Sequence, residues 1–238
     1  MVIEISKIFE KKTENTNKTE KIYKNVRIIL RLHAKQDKIY CIQENNRGYI
    51  MEKIYETAYA KINLGLDVLG KRSDGYHEVR MVMQSVGLSD AVEIEEGEGL
   101  VVETDHSGLA GGPDNLAWKA AELLARCCGK IPNVHIRLNK KIFLAAGPAG
   151  GSSDAAAVMR GLSRLWQLDL TAPELEKLAA ELGSDIPFCI TGGTALAEGR
   201  GEILTELPEA PELLLVLAKP KLEVATGETI EFDTVMMV

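Results

Sequence analysis

Hydrophobic and polar residues alternate from residue 51 onward in segments that predict both strands and helices. The apolar stretch 54–69, interrupted by Gly65, predicts a strand or a bent pair of strands. Because side chains alternate with a period of two along a strand, Lys61 and Asn63 are expected on one face. A hairpin around Gly97 and Gly99 is also expected. The other predicted strands are 92–95 and 100–104, which would form that hairpin, and 134–138, 194–197 and 213–217.

Three segments have apolar residues at helical spacing together with capping signals. Residues 115–128 follow Pro113 and Asp114 and precede Gly129, which is a typical start and stop. Further helices are predicted over 152–166 and over 173–182, the latter capped by Thr171 and ended by Gly183. Because several strands precede the first helix, the pattern favours an α+β fold over a doubly wound sheet.

The first 50 residues differ in composition from the rest of the chain. They hold 11 Lys and Arg against 6 Asp and Glu, whereas residues 51–238 hold 17 against 29. Of the 21 glycines only Gly48 precedes Met51. We predict that residues 1–50 are an atypical basic extension, disordered or non-native, with translation starting at Met51. The alternative is a partner-binding extension. Within this segment the stretch 11–24, which is low in apolar residues, is predicted to be disordered, and 26–32 is predicted to form a short strand or helical turn.

The composition of the whole chain argues against several classes of partner. A net charge of -7 and a pI near 5.3 disfavour a nucleic-acid surface, which needs a clustered excess of Lys and Arg. The apolar runs are far shorter than the roughly 20 residues of a membrane helix, so no membrane partner is expected. Four cysteines without a C-x-x-C pair fit a reducing cytoplasm, where we expect the protein.

The run of alanine, glycine and serine residues at 145–153 follows an apolar segment and opens an alanine-rich helix. Unpaired N–H groups at a helix start and the positive end of its dipole bind anions, so a di- or triphosphate is expected there. Ser152 and Ser153 add hydroxyls for phosphate or Mg²⁺. The run is neither a Walker A loop nor a dinucleotide-binding loop. The alternative is a tight strand-to-helix turn with a serine N-cap.

Two further clusters add candidate catalytic groups. Lys61 lies among apolar residues on a predicted buried strand and therefore needs a partner. Asp185 stands between a helix end and a segment that Pro187 is expected to hold extended, and a carboxylate paired to a lysine there is able to accept a hydroxyl proton. The alternatives are a snorkelling strand lysine and a turn-forming aspartate. A polar turn with Tyr76 and His77 is a third element, or an ordinary Asp-Gly turn.

Four motifs, in this order, resemble those of the GHMP kinases. They are Ala-Lys-Ile-Asn-Leu at 60–64, Asp-Gly-Tyr-His at 74–77, the small-residue loop at 146–153 and Gly-Ser-Asp-Ile-Pro at 183–187. The resemblance extends from Met51 to about Thr226. It implies a two-lobed GHMP-kinase-like fold, with an ATP-binding N-terminal domain at 51–205 and the start of an incomplete C-terminal domain at 206–238.

The resemblance implies transfer of the γ-phosphate of ATP, with Mg²⁺, to the C2 hydroxyl of 4-diphosphocytidyl-2-C-methyl-D-erythritol in the non-mevalonate isoprenoid pathway. Asp185 would be the catalytic base and Lys61 its catalytic partner. Mg²⁺ would arrive on ATP, with Ser152 or Ser153 as its candidate ligands.

The resemblance also implies two sets of binding residues. For the substrate, Tyr76 and His77 would hold the cytosine, which suits an aromatic platform, Asn63 would lie near the reacting hydroxyl, and Thr226 would contribute too. Asn115 and Lys140 would flank the adenine. The remaining ATP-binding residues would be Phe143, Leu144, Ala145, Ala146, Gly147, Pro148, Ala149, Gly150, Gly151, Ser152 and Ser153.

The chain departs from the family pattern at two places. Phe143 stands where a proline is usual, and Pro148 replaces a leucine or methionine and removes one backbone N–H from the loop. ATP binding is expected to weaken if that N–H is a phosphate ligand.

Family members also continue with a further glycine-rich segment, so we expect a truncated chain with exposed sheet edges. An inactive nucleotide-binding remnant and a GHMP kinase for another small alcohol, such as homoserine, are therefore the alternatives.

Overall fold

The computed structural model of the protein describes residues 29–30, 39–44, 50–144 and 147–217. The chain divides into two compact units, one made of residues 32–212 and the other of residues 1–31 and 213–238. In the second unit, strand β1 (Ile29–Leu30) pairs antiparallel with strand β9 (Leu215–Val216). Strand β9 lies within the segment for which a strand is predicted.

The unit of residues 32–212 contains a mixed sheet. Its path runs β2-β3-β4-β6-β5, and β7 pairs with both β4 and β8. Only β5 and β6 are parallel among these pairs. The strands are β2 (Ile39–Glu44), β3 (Ile50–Lys71), β4 (His77–Glu96), β5 (Leu100–Thr104), β6 (Val134–Asn139), β7 (Thr194–Glu198) and β8 (Ile203–Glu206).

Strand β4 lies at the centre of this sheet, since it pairs with three other strands. Its side chains contribute to two hydrophobic cores. One edge pairs with β3, and the other edge pairs first with β7 and then with β6. Near the start of the strand the buried side chains stand at odd-numbered positions, Met81 and Met83, and near its end they stand at even-numbered positions, Val92 and Ile94. The first pair joins a small core with Phe188, while the second pair joins the main core.

Four helices belong to this unit: α1 (Leu116–Cys128), α2 (Gly150–Leu165), α3 (Ala172–Ala179) and α4 (Ile186–Thr191). Helix α1 begins where the Asn115 side chain accepts a bond from the Ala117 N–H at 2.9 Å, and it ends at the left-handed Gly129. Helix α2 packs close to the sheet because Gly161 has no Cβ, which would lie 2.5 Å from Ile94 Cδ1. No helix in the described part of the chain is long and apolar enough to span a membrane.

Several predictions of elements are confirmed, and two are wrong. Helix α1 and strand β6 are confirmed, and α2 begins two residues earlier than expected. The hairpin around Gly97 and Gly99 is wrong, because β6 inserts between β4 and β5. The extended segment at Pro187 is also wrong: α4 forms there, since proline is tolerated in the first turn of a helix.

Other differences concern lengths and boundaries. Helix α3 ends at Ala179, short of Gly183, although Thr171 and Glu174 form the expected start as a capping box. Strand β8 and most of β4 are not predicted. Strand β2 falls within the first 50 residues and pairs with β3, and Met51 lies inside β3. The stretch 11–24, for which disorder is predicted, lies outside the described residues.

Candidate active site

Lys61 lies on β3 beside an irregularity in its pairing with β4. The register shifts between Tyr59 and Lys61, where the partner changes from Ser89 to Ser85. Such bulges reorient side chains and are frequent next to active sites. The Lys61 side chain is 7% exposed, and its ammonium donates to Asn63 Oδ1 at 3.3 Å. This bond confirms that Lys61 and Asn63 project to the same side of the strand.

Asp185 is the partner of Lys61. Its Oδ2 lies 3.3 Å from Lys61 Nζ, and its side chain is 34% exposed. Asp185 is the N-cap residue of α4 but makes no capping bond with its side chain. The carboxylate is therefore held by the lysine on one side and remains open to solvent, which is the arrangement required of a group that must accept a proton from a ligand.

The glycine-rich turn leads directly into α2. Ala149 has a left-handed backbone (φ 59°, ψ 38°), which is unusual for a residue with a Cβ. Its side chain cannot cap the helix, so the first N–H groups of α2 are free of the usual side-chain acceptor. Gly150 is packed so tightly that a Cβ would lie 3.0 Å from Ile142 Cγ2. The result is a helix start that offers backbone donors to an anion.

One backbone hydrogen bond joins the turn to the catalytic candidates. The Lys61 N–H donates to the Pro148 carbonyl at 3.1 Å. Pro148 therefore lacks an N–H for phosphate but supplies an acceptor that fixes the turn against β3. Ala145 and Ala146 lie outside the described residues.

Arg160 connects the elements that carry Lys61 and Asp185. From α2 it donates to the Cys189 carbonyl of α4 at 2.6 Å and to the Thr57 carbonyl of β3 at 2.9 Å. Its Nε donates to Glu56 Oε2 at 3.2 Å. The Arg160 guanidinium, which is partly buried, thus links α4, which Asp185 precedes, to β3, which carries Lys61.

A second lysine and aspartate cluster lies next to the glycine-rich turn, since a Cβ at Gly150 would lie 3.4 Å from Lys140 Nζ. Lys140 Nζ is hydrogen-bonded to Asp90 Oδ2 and Asp154 Oδ2, and the three side chains are at most 2% exposed. The other oxygen of Asp90 accepts bonds from the Lys141 and Ile142 N–H groups, the latter at 2.8 Å. We call these three residues the buried triad. They join β4, the end of β6 and the start of α2. The buried triad therefore holds in place the glycine-rich turn that precedes α2.

Asp154 is the poorly satisfied member of the buried triad. Its Oδ1 is buried without a hydrogen-bond partner among the described residues. Burial raises the pKa of Asp154 to about 7, although Lys140 opposes this shift. Asp154 therefore changes its protonation near neutral pH.

The two adjacent serines of the turn have different surroundings. Ser153 is 1% exposed, and its hydroxyl donates to the Tyr59 carbonyl at 2.7 Å and lies 3.4 Å from Cys189 Sγ. Ser152 is half-buried on the first turn of α2. Ser153 thus ties α2 to β3, whereas Ser152 is the less enclosed of the two serines.

Asn115 and Lys140, which are expected to flank adenine, both have hydrogen-bond partners within the protein. The Asn115 amide caps α1 and donates to the Ala110 carbonyl at 2.8 Å. The Lys140 ammonium is enclosed in the buried triad. The polar groups of both side chains are thus already bonded within the protein, and their part in binding adenine stays a prediction.

Tyr76 and His77 lie at the turn that joins β3 to β4. Tyr76 is 53% exposed, and its N–H donates to Asp74 Oδ1 at 3.1 Å. His77 and Asn63 are also exposed. All three side chains are thus open to a ligand. Thr226, the remaining predicted substrate residue, lies outside the described residues.

Five residues that support the site are absent from the sequence-based prediction: Glu56, Asp90, Asp154, Arg160 and Cys189. Asp154 carried a signal, because it is a charged residue before an uninterrupted run of alanines in a predicted buried helix start. The others carried none, since each depends on a partner about 30 or more residues away.

Comparison with known proteins identifies similar chains. Residues 115–193 match the family of GHMP kinases N terminal domains. The chain is 49% identical over 176 residues to a 4-diphosphocytidyl-2-C-methyl-D-erythritol kinase of Caldanaerobacter subterraneus, covering 74% of this chain and 61% of that one. It is 53% identical over 165 residues to the kinase of that name from Synechococcus, covering 69% and 53%. This chain thus spans little more than half to three fifths of these relatives.

Solved structures show the same fold. A crystal structure of 4-(cytidine 5'-diphospho)-2C-methyl-D-erythritol kinase matches with a TM-score of 0.56 and 38% identity, over 65% of this chain and 55% of that one. A homoserine kinase of Cytophaga hutchinsonii matches with a TM-score of 0.53 and 19% identity, over 66% and 52%, which is a likeness of fold alone. The α+β prediction and the resemblance by motifs are confirmed.

Proposed function

Since the chain belongs to the GHMP kinase family, we propose that it transfers the γ-phosphate of ATP to the C2 hydroxyl of 4-diphosphocytidyl-2-C-methyl-D-erythritol. The observation that carries this proposal is the ion pair of Lys61 and Asp185, whose lysine is bonded through its backbone to the glycine-rich turn. The proposed proton acceptor, cation and anion-binding turn are thus joined in one site.

Asp185 accepts the proton of the C2 hydroxyl as that oxygen attacks the γ-phosphorus. The O–H bond breaks, the new O–P bond forms, and the bond from the γ-phosphorus to the β-phosphate oxygen breaks to release ADP. Lys61 orients the carboxylate and stabilises the charge that spreads over the transferred group. Phosphoryl transfer depends mainly on such positioning and charge stabilisation.

The N–H groups at the start of α2 bind the ATP phosphates, with the helix dipole adding to the attraction. Mg²⁺ is usually held by substrate phosphates with one or two protein oxygens. Ser152 fits that requirement better than Ser153, because the Ser153 hydroxyl is buried against the Tyr59 carbonyl. Among the described residues, no cluster of three or more His, Cys, Asp or Glu is placed to hold a metal ion.

The exposed ring of Tyr76 and the imidazole of His77 receive the cytosine, and Asn63 lies beside the reacting hydroxyl. The domain division near residue 205, the contribution of Thr226 and a cytoplasmic location belong to the same proposal. The identity of the alcohol that accepts the phosphate, the cytidyl diphosphate substrate, is what makes this proposal more specific than GHMP kinase activity in general.

A substrate panel tests the proposal. Purified chain, ATP and Mg²⁺ are incubated with the cytidyl diphosphate alcohol, with homoserine or with no acceptor, and ADP formation is measured. ADP is expected above the background only with the cytidyl substrate. ADP formation with homoserine instead of the cytidyl substrate would contradict the proposed substrate. Calorimetric ATP binding without turnover on any acceptor would favour the nucleotide-binding remnant and refute the transfer activity.

A further inference from the structure

The turn between β7 and β8 lies against the segment that carries Asp185. Gly201 in this turn has φ 112°, and a Cβ there would lie 2.6 Å from Met81 Cε and 3.7 Å from Ser184 Cβ. Ser184 immediately precedes Asp185. The turn is also bonded to β4, because the Val79 N–H donates to the Gly199 carbonyl at 2.9 Å. Its backbone is therefore fixed next to the catalytic candidate.

The same turn reaches the tyrosine at the other end of the proposed substrate site. The Arg200 guanidinium carbon lies 4.8 Å from the centroid of the Tyr76 ring. A cation at this distance over an aromatic face is attracted by the ring electrons. One short turn thus contacts Tyr76 through Arg200 and passes close to Ser184 at Gly201.

Arg200 has unused capacity for an anion. Its Nε lies 3.5 Å from Glu202 Oε1, and its two Nη groups have no hydrogen bond among the described residues. By contrast, Arg72 in the neighbouring turn is compensated by both Asp74 and Glu78. A guanidinium presents a planar fork that matches phosphate oxygens. Arg200 is therefore the better anion receptor of the two.

We infer that Arg200 binds the diphosphate of a cytidine diphosphate ligand while its guanidinium holds the ring of Tyr76. The inference rests on the proposed function, in which the cytosine lies at Tyr76 and the reacting hydroxyl at Asp185. The diphosphate joins these two ends of the substrate, and the turn lies beside Tyr76 at one end and beside Ser184, which precedes Asp185, at the other. Arg200 covers one face of the ring, and the other face receives the base.

Titration calorimetry on the full chain with cytidine 5′-diphosphate and with cytidine tests this inference. Arg200→Ala is expected to weaken diphosphate binding about 10-fold and cytidine binding less than about 3-fold, because a charge-assisted bond to phosphate is lost. Arg200→Lys should restore part of the loss, since it keeps the charge without the planar fork. Arg80→Ala is the matched control, because Arg80 is an exposed arginine of β4 that is paired with Glu198, the last residue of β7 before the turn.

Three results separate the possibilities. Equal losses for the nucleotide and the nucleoside would mean that Arg200 only supports the ring, and would overturn the inference. Unchanged binding of cytidine 5′-diphosphate to Arg200→Ala would overturn it too. Tighter binding would also overturn it, because it would mean that the guanidinium occupies the place of the base in the unmodified chain. If the unmodified chain binds neither probe, the proposed function itself fails and the inference falls with it.

Discussion

Two lysine and aspartate clusters flank the turn before α2, and they differ in their access to solvent. Lys61 is buried but meets Asp185, whose side chain is one-third exposed. Lys140 is buried between Asp90 and Asp154, which are almost completely enclosed. The first cluster has one charge of each sign and an open side, while the second has two carboxylates for one ammonium and no open side.

We propose that this difference separates a reacting group from a supporting one. A carboxylate that must take a proton from a ligand needs a path to that ligand, which Asp185 has and Asp154 lacks. A buried charge that loses its partner is costly, whereas an exposed one is stabilised by water. Substitutions in the two clusters should therefore affect different properties, activity in the first and stability in the second.

Lys140→Met is expected to have the largest effect on stability. Two buried carboxylates would lose their common cation, which costs about 3–5 kcal/mol for a broken buried pair. Denaturant unfolding followed by circular dichroism measures the change, and the loss should shrink at low pH as Asp154 takes up a proton. A change below about 1 kcal/mol would show that the buried triad does not hold the turn.

Lys61→Met is the counterpart in the open cluster. We expect turnover to fall about 10²–10³-fold, as when one donor that stabilises the transition state is removed. The free energy of unfolding should change by less than about 1 kcal/mol, because Asp185 remains hydrated. Steady-state ADP formation and denaturant unfolding of the same preparation provide the two values. A variant that unfolds easily but turns over normally when folded would reverse the comparison.

Asp154→Asn should change how stability depends on pH. Burial raises the pKa of Asp154 to about 7 in the folded protein, against 3.8 for the ordinary side chain. Between these values the folded chain binds one proton more than the unfolded chain, so this carboxyl lowers the free energy of unfolding by up to about 1.4 kcal/mol per pH unit as the pH rises. Its contribution is fully present below the lower value and lost above the higher one.

Urea unfolding of the unmodified chain and the Asn variant over this pH range measures the difference. The unmodified chain should lose stability relative to the variant as the pH rises, and the difference should become constant above about pH 8. Parallel curves would mean that Asp154 is ionised throughout and that Lys140 outweighs its burial.

Ser153 and Ser152 should show the same contrast between an effect on stability and an effect on activity, with the smallest magnitudes. Ser153→Ala removes a buried hydroxyl bond to the Tyr59 carbonyl and is expected to cost about 1 kcal/mol of stability. Ser152→Ala should leave stability within about 0.5 kcal/mol, as for other partly exposed positions, but raise the KM for ATP and Mg²⁺. Unfolding and KM measured for both variants test this, and an exchange of the two effects would contradict the assignment.

The sequence predicts the open cluster better than the closed one, for a physical reason. A lysine in an apolar strand needs a partner, and the aspartate before Ile186 and Pro187 is a candidate near a helix end, so Lys61 and Asp185 can be paired from local signals. Asp90 lies near no such signal, because it is one polar residue on a long strand. Its partners come from the end of β6 and from α2, and only the fold brings them together.

The order of strands is hidden from the sequence in the same way. Gly97 and Gly99 indicate a reversal of the chain after β4, which occurs, but they do not specify which strand then pairs with it. Strand β6 takes that place after the intervening helix α1. Local turn signals therefore predict where the chain bends, and burial of the apolar faces decides which strands become neighbours.

The most direct test of the open cluster as the catalytic centre is a single-turnover measurement with excess enzyme, ATP, Mg²⁺ and the cytidyl diphosphate alcohol, followed by ³¹P NMR. The unmodified chain and Asp154→Asn are expected to form the phosphomonoester at rates within about 10-fold of each other, whereas Asp185→Asn should be slower by at least about 10³-fold, because it lacks the proton acceptor. Product formation by Asp185→Asn at the rate of the unmodified chain would contradict the assignment of this cluster as the site of phosphoryl transfer.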